Sequence, residues 1–257
     1  ILSIGDDILI TAGSDDEFFY ALDQTGELVF SIDTGDDVNS SASFVDLDSG
    51  PVIFFGSESG ELHAVDTSGN ALEGWPVSLG DEVNVSVSFA DFDDDGTPEV
   101  VASASNMIYI YTMDGEIYNP NHFPIINEFT ITSAPIIIDL DDDGDLEILI
   151  GSAATMVVVD VAGSGNATGS FWNMDRGNAK RHGVYVSSSS FNCENAMLGN
   201  VNCDTNLDVM DVVIVVNFIV DVDTPSDSYE QWAGDYNQDG TIDVLDVVAM
   251  VNLILDI

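Results

Sequence analysis

The chain has 257 residues, 45% of them hydrophobic, and sets 47 Asp and Glu against 3 Lys and Arg, a formal net charge of −44. Such a charge excludes binding to nucleic acid or to an anionic membrane surface, which both need basic patches. The apolar fraction supports a real core and excludes wholesale disorder. Self-repulsion on this scale has to be relieved by bound divalent cations or by a saline medium. No apolar run reaches the length of a membrane span, so no membrane insertion is expected. Ile1 opens directly into strand-like sequence with no leader, which reads as a mature or trimmed chain, or one with an interior start.

In chain order, four segments share one pattern: a short apolar strand, an acidic turn, a second apolar strand ending in small residues, and an aromatic-rich third strand. The first unit places its second strand at Ile8–Ser14, its third at Phe19–Asp23 before Gln24-Thr25-Gly26, and a fourth around Leu28-Val29-Phe30. The second unit repeats this at Val52–Ser57, at Leu62–Asp66 before Thr67-Ser68-Gly69, and at Trp75-Pro76-Val77. The third has Val100–Ser103, then Ile108–Tyr111 before Met113-Asp114-Gly115. The fourth has Ile148–Ser152, then Val157–Asp160 before Ala162-Gly163. With Gly13, Gly56, Ala102 and Gly151 taken as equivalent, the steps are 43, 46 and 49 residues. Short strands at an even period near 45, with Gly and Asp turns, point to propeller blades; the alternative is a β-sandwich with accidental similarity. Four such units close on themselves, form an open ring, or lack blades upstream of Ile1. No helix is expected before residue 190.

Two units carry Asp-x-Asp-x-Asp-Gly-x-x-Glu: Asp91, Asp93, Asp95, Gly96, Glu99 and Asp139, Asp141, Asp143, Gly144, Glu147. Calcium takes six to eight hard oxygen ligands on a flexible frame, and carboxylates at alternate positions of a tight turn converge. Glycine at the sixth position supplies the bend. Backbone carbonyls at the seventh, Thr97 and Asp145, add a ligand, and the Glu closes the sphere. Without a cation, three aspartates in five residues repel one another. A solvated acidic turn is the bland alternative, weakened by the recurrence of this spacing at one blade position. Phe89-Ala90-Asp91-Phe92-Asp93-Asp94-Asp95-Gly96 and Ile138-Asp139-Leu140-Asp141-Asp142-Asp143-Gly144 resemble the FG-GAP/VCBS repeats of integrin-α-type propellers, a resemblance over roughly residues 1–186. In the second unit Asp46-Leu47-Asp48-Ser49-Gly50 is short and keeps two acidic ligands, so it is expected to be empty. The first unit, at Gly5-Asp6-Asp7, has no loop.

All three basic residues, Arg176, Lys180 and Arg181, fall together. Arg176 lies within Phe171–Asn178, a stretch that resembles the closing segment after such repeats in large secreted bacterial proteins, with Lys180 and Arg181 just beyond it, and the three point to an acidic counterpart or to a solvated loop. Ser187–Ser190 marks a composition shift, and residues 187–196 read as a linker. Cys193 and Cys203 pair in an oxidising compartment, the alternative being two free thiols. Beyond the linker the apolar period lengthens. Val212, Val213, Val216, Phe218 and Ile219, and then Val247, Val248, Val251, Leu253, Ile254 and Leu255, suit short helices, each directly after an acidic loop.

The second of these loops is the stronger. Asp235, Asn237, Asp239, Gly240, Thr241, Asp243 and Asp246 occupy positions 1, 3, 5, 6, 7, 9 and 12 of an EF-hand-like loop, with the Thr241 carbonyl as one ligand. The first copy, Asn200, Asn202, Asp204, Thr205, Asn206, Asp208 and Asp211, is weaker, with Asn at position 1 and Thr at position 6. Two such loops 35 residues apart, each followed by one short helix, resemble a type I dockerin, most closely over Gly234–Asp243. The resemblance implies a cohesin-like or scaffold partner met by helix-start residues, here Val209, Met210, Val244 and Leu245, whose apolar character favours hydrophobic docking.

His63, His122 and His182 stand in no zinc or triad spacing and read as structural. Trp75, Trp172 and Trp232 could line a sugar site but read as packing. Asn39, Asn84 and Asn166 begin glycosylation sequons. No nucleophile, phosphate-binding or dinucleotide motif appears, so no enzyme is expected.

The fold expected is mainly β, with propeller-type repeats over 1–186, a linker over 187–196 and a small α-helical dockerin-like domain over 197–257. The function expected is an extracellular or cell-surface calcium-binding structural or adhesion protein, of a bacterium in a saline or calcium-rich setting. Its partners are other protein chains, by head-to-tail self-association or through a scaffold. The alternative is the non-catalytic part of a secreted polysaccharide-degrading enzyme docked on such a scaffold.

Overall fold

The computed structural model describes residues 1–4, 7–47, 49–141, 143–163, 171–175, 183–187, 197–203, 206–220, 225 and 228–255. Contacts divide the chain into two compact units, Ile1–Leu2 with Asp7–Tyr185, and Ser3–Asp6 with Val186–Ile257.

The strands make four antiparallel sheets. The first has the order β16-β1-β2-β3-β4, built from β1 (Leu2–Ile4), β2 (Asp7–Gly13), β3 (Phe18–Asp23), β4 (Leu28–Asp33) and β16 (Tyr185–Val186). The second runs β5 (Ser43–Leu47), β6 (Gly50–Gly56), β7 (Glu61–Asp66), β8 (Val77–Ser78). The third runs β9 (Ser88–Ala90), β10 (Glu99–Ala104), β11 (Met107–Tyr111), β12 (Ile125–Ile126). The fourth is β13 (Ile136–Ile138), β14 (Leu146–Gly151), β15 (Met156–Val161). Aspartate side chains shape the outer turns. Asp23 Oδ1 accepts the N–H groups of Thr25 and Glu27, and Asp66 Oδ1 those of Ser68 and Asn70, which is the Asx-turn chemistry that makes Asp a turn former.

Successive sheets pack face on face with one polarity. Phe19 of the first stacks on Phe55 of the second, ring centroids 3.7 Å apart. From the other face of β6, Phe54 meets Phe89 of the third sheet edge-on at 5.1 Å. Val101, Ile108 and Ile110, on the far face of the third sheet, form one core with Ile137, Leu146, Ile148 and Ile150 of the fourth. The two middle sheets are therefore buried on both faces, with every residue of β10 and Val52–Gly56 of β6 inaccessible. Strands β2 and β15 instead alternate between covered and bare. Among the described residues the four sheets show no closed propeller.

Residues 171–175 tie the innermost strands together. The Trp172 carbonyl accepts the Phe89 N–H at 3.0 Å and the Asn173 carbonyl that of Ile137 at 2.9 Å. The Trp172 ring stacks on Phe44 of β5 and on Tyr185, at 5.0 and 5.7 Å. Trp75 is equally structural: its indole N–H donates to the Met113 carbonyl at 2.8 Å. His63 lies stacked on Phe55 at 4.9 Å, and burial pulls its imidazole below the usual range.

Several expectations need correction. Ser103, not Ala102, is equivalent to Gly13, Gly56 and Gly151: these four pair with Ile108, Phe19, Leu62 and Met156, and each lies on the same face of its sheet, which in the first three is turned to the following sheet. Trp75 and Pro76 are not in a strand. A proline has no N–H for a ladder, and β8 begins only at Val77. Strand β12 stands in the same place in the third sheet, after Pro124, and its two residues carried no readable pattern.

In the second unit lie α1 (Val209–Ile219), α2 (Ser228–Gly234) and α3 (Val244–Leu255). Among the described residues no α-helix precedes α1; Asp175 alone lies in a 3-10 turn of helix. The core joins Val201, Val215, Tyr229, Ala233 and Met250, so packing and capping override the weak helix propensity of β-branched residues. Asp208 and Asp211 form a reciprocal capping box at the start of α1. The helix α2 lies outside the sequence expectation, because a seven-residue segment with two aromatics has no clear period. Cys203 is in a disulfide; its expected partner, Cys193, lies outside the described residues, as do Arg176, Lys180, Arg181 and His182.

Gly56 shows how tightly the sheets are set. A Cβ there would lie 2.3 Å from Val83 Cγ1 and 2.5 Å from the Val83 carbonyl oxygen, while Ser40 Oγ both accepts from the Gly56 N–H and donates to its carbonyl. Gly56→Ala is expected to cost on the order of 1–3 kcal/mol through overpacking, read as a lower urea midpoint; an unchanged midpoint would contradict this packing.

Candidate metal centres

The two acidic loops of the repeats sit at the same turn of two successive sheets, joining β9 to β10 and β13 to β14. They share one set of hydrogen bonds, displaced by 48 residues. The N–H groups of Gly96 and Gly144 donate to Asp91 and Asp139, at 2.8 and 3.1 Å. Those of Thr97 and Asp145 donate to Asp95 and Asp143, at 2.7 and 3.0 Å. Those of Phe92 and Leu140 donate to Glu99 and Glu147, at 2.8 and 2.6 Å. Gly96 and Gly144 have φ of 88° and 93°, a left-handed bend that a side chain resists.

Each loop draws three carboxylates together. Ligand oxygens of Asp91, Asp93 and Glu99, and of Asp139, Asp141 and Glu147, lie within 4.8 Å of one another. Asp91, Glu99 and Glu147 are buried. Burial raises Glu99 to about 7, the Phe92 N–H opposing and the charges of Asp93, Asp91 and Asp95 adding to the rise. Asp93 and Asp141 are raised as well, first by desolvation and then by neighbouring aspartates. Among the described residues no cation faces either cluster. Hard carboxylate oxygens, crowded and partly buried, are a donor set that fits a hard divalent ion. Asp95 and Asp143, also expected as ligands, are not in the compact triads.

Strands β5 and β6 close through the register Leu47↔Gly50, too short a turn to surround an ion. The Asp46 N–H donates to the Tyr185 hydroxyl at 2.9 Å, and Asp48 lies outside the described residues.

The loop at Asp235 begins as the repeat loops do. Asp235 accepts the N–H groups of Asp239 and Gly240, at 2.9 and 2.7 Å, and Asp239 that of Thr241 at 3.0 Å, matching Asp91 with Asp95 and Gly96. It closes differently. Where a strand supplies Glu99 at position 9, α3 supplies the fully buried Asp246 at position 12, which accepts from the N–H groups of Asn237 and Asp243 at 3.0 and 2.7 Å. Burial pushes both Asp235 and Asp246 up.

The loop at Asn200 closes in the same way. Asp211 accepts from Asn202 and Asp208, at 3.1 and 2.9 Å, and Cys203 and Gln238 share a left-handed φ of 57° and 53°. Asn206 is exposed, and Asp204 and Thr205 lie outside the described residues. Neither C-terminal loop brings three acidic oxygens as close as the repeat loops do, among the described residues.

At the opposite end of the hairpins, before β5, β9 and β13, a cavity of about 660 Å³ is lined by Asn39, Asn84, Ser86, Thr132, Ser133 and Asp175 among others. The amide nitrogens of Asn39 and Asn84 donate to Glu58 and Glu82, at 2.7 and 3.0 Å. The third sequon, at Asn166, lies outside the described residues.

Residues 91–150, which span both repeat loops, match the family model of an FG-GAP-like repeat. No curated protein matches the chain.

A carboxyl raised in the folded state favours the fold while protonated. That contribution is present below the unfolded value near 4.5 and is lost as pH rises through about 7. In chelator, the melting temperature is therefore expected to fall as pH rises from 5 to 8, and Glu99→Gln to flatten that slope and melt higher at pH 8. Parallel profiles for the two proteins would contradict the burial of a charged Glu99.

Proposed function

We propose that this chain is an extracellular calcium-binding structural or adhesion module, not an enzyme, whose parts mediate assembly with other protein chains. The observation that carries the reading is the pair of matching acidic loops within the segment that matches an FG-GAP-like repeat. FG-GAP repeats belong to protein–protein interaction and adhesion domains and are typical of extracellular proteins. No helix among the described residues is long and apolar enough to cross a membrane.

Calcium is the ion proposed, since the donors are all oxygen and irregularly spaced on flexible loops, conditions calcium tolerates better than magnesium. Asp91, Asp93, Asp95, the Thr97 carbonyl and Glu99 would hold one ion, and Asp139, Asp141, Asp143, the Asp145 carbonyl and Glu147 a second. Asp235, Asn237, Asp239, Thr241, Asp243 and Asp246 would hold a third, and the loop at Asn200 a weaker fourth. The helical unit reads as dockerin-like. Its two loops share closing bonds displaced by 35 residues, and Val209, Met210, Val244 and Leu245 are exposed at the two helix starts. A cohesin-like or scaffold partner would meet that apolar surface.

Two outcomes are expected. Binding to the native state alone adds about 2.7 kcal/mol per site at a hundredfold excess over Kd, so EDTA at low ionic strength should lower the melting temperature sharply. A melting temperature unmoved by EDTA would refute calcium-linked stability. Elemental analysis after dialysis should find calcium at all three strong loops, and Asp93→Asn should remove one ion. Fewer than two ions in the unaltered chain would overturn the assignment.

A further inference from the structure

The packing between successive sheets is directional and occurs three times. The face of β6 that carries Phe54 and Gly56 looks to the third sheet, and the face that carries Ile53 and Phe55 to the first. Strand pairing extends this assignment to every sheet. On the first, the forward face holds Leu9, Thr11, Phe19 and Ala21, and the rear face Ile8, Ile10, Ala12, Tyr20 and Leu22. On the third, Val101, Ile108 and Ile110 look forward to Leu146, Ile148 and Ile150 on the rear face of the fourth. The forward face of the fourth then holds Ile136, Leu149 and Val158 in one cross-strand row, with Ile138 and Met156 beside it.

Among the described residues, two of these faces have no sheet against them. On the rear of the first, Ile8 and Ile10 are 39% and 37% exposed; on the front of the fourth, Ile136, Ile138, Met156 and Val158 are 39%, 42%, 69% and 45% exposed. Contiguous apolar surface on an acidic protein calls for a partner. The two bare surfaces are the missing halves of the contact that the chain already makes three times: a forward face seeks a rear face. We propose that a second copy of this chain supplies it, the fourth sheet of one molecule packing on the first sheet of the next. This deepens the assembly function proposed above and names its surface.

The contact is heterologous, so it closes into a ring or runs on as a fibre. Two four-sheet arrays joined at both junctions make eight sheets, within the range that propellers adopt. Association should strengthen with salt and with calcium, both of which reduce repulsion between two chains of −44 each.

Light scattering after size exclusion, in millimolar calcium and physiological salt, tests this. The unaltered chain is expected at the mass of two or more copies. Ile10→Asp spoils the rear face and Val158→Asp the forward face, both at half-exposed positions where the fold tolerates a charge. Each variant alone should run as a monomer with unchanged calcium content and melting profile. An equimolar mixture should recover a one-to-one dimer, because one intact forward face and one intact rear face remain. A monomeric unaltered chain, or a single variant that still self-associates, would overturn the proposal. Calcium content, read on the same samples, decides the calcium assignment separately.

Discussion

The structure depends on how carboxylates are placed where water cannot fully reach them. Asp91, Glu99, Glu147, Asp211 and Asp246 are all buried, in a chain with three basic residues to offer. A buried carboxylate needs a cation, a proton or backbone donors. Here the fold supplies donors first: the N–H groups of Phe92, Leu140, Asn202 and Asn237 all point at one of these acids. The backbone path of each loop is thus set by the acid at its end, and the next strand or helix begins from that acid. Metal, where it binds, completes a frame already drawn.

This explains why two architectures in one chain share a loop. Positions one to seven wrap identically around Asp91 and Asp235; only the element that returns the closing acid differs. A strand brings back a long Glu after two more residues. A helix turns away first, so a shorter Asp at position 12 is already inside. The repeats build their cores from long apolar strands stacked face to face, whereas the helical unit closes around a few residues between α1, α2 and α3.

Much of this was legible in the sequence, because the signals were local. Strands β2, β3, β6, β7, β10, β11, β14 and β15 are apolar runs bounded by Asp and Gly turns, and the acidic spacing marked the loops. Legibility failed where a residue's role is set by something distant. Ala102 and Ser103 are both small, and only the facing of Ile108 toward the fourth sheet shows that Ser103 is the counterpart of Gly56. Strand β12 is two residues long and owes its existence to β11. The matching closing bonds of the two C-terminal loops could not be read from residues that differ at positions 1 and 6. Exposure of Ile136 and Ile8 is likewise invisible in a run that resembles its buried counterparts.

The acidic loops and the amide-lined cavity lie at opposite ends of the same short hairpins, and distance gives that arrangement a consequence. The path from Ser86 to Asp91 through β9, at about 3.3 Å per residue, is roughly 16 Å, close to two screening lengths at physiological ionic strength. Charge added to or removed from the exposed Asp93 and Asp95 is largely damped by solvent before it reaches Asn39, Asn84 and Asp175. The repeat unit is electrically two-sided. A change among the exposed charges of one rim leaves the opposite rim's potential largely its own, so selection can alter that surface with little retuning of the other.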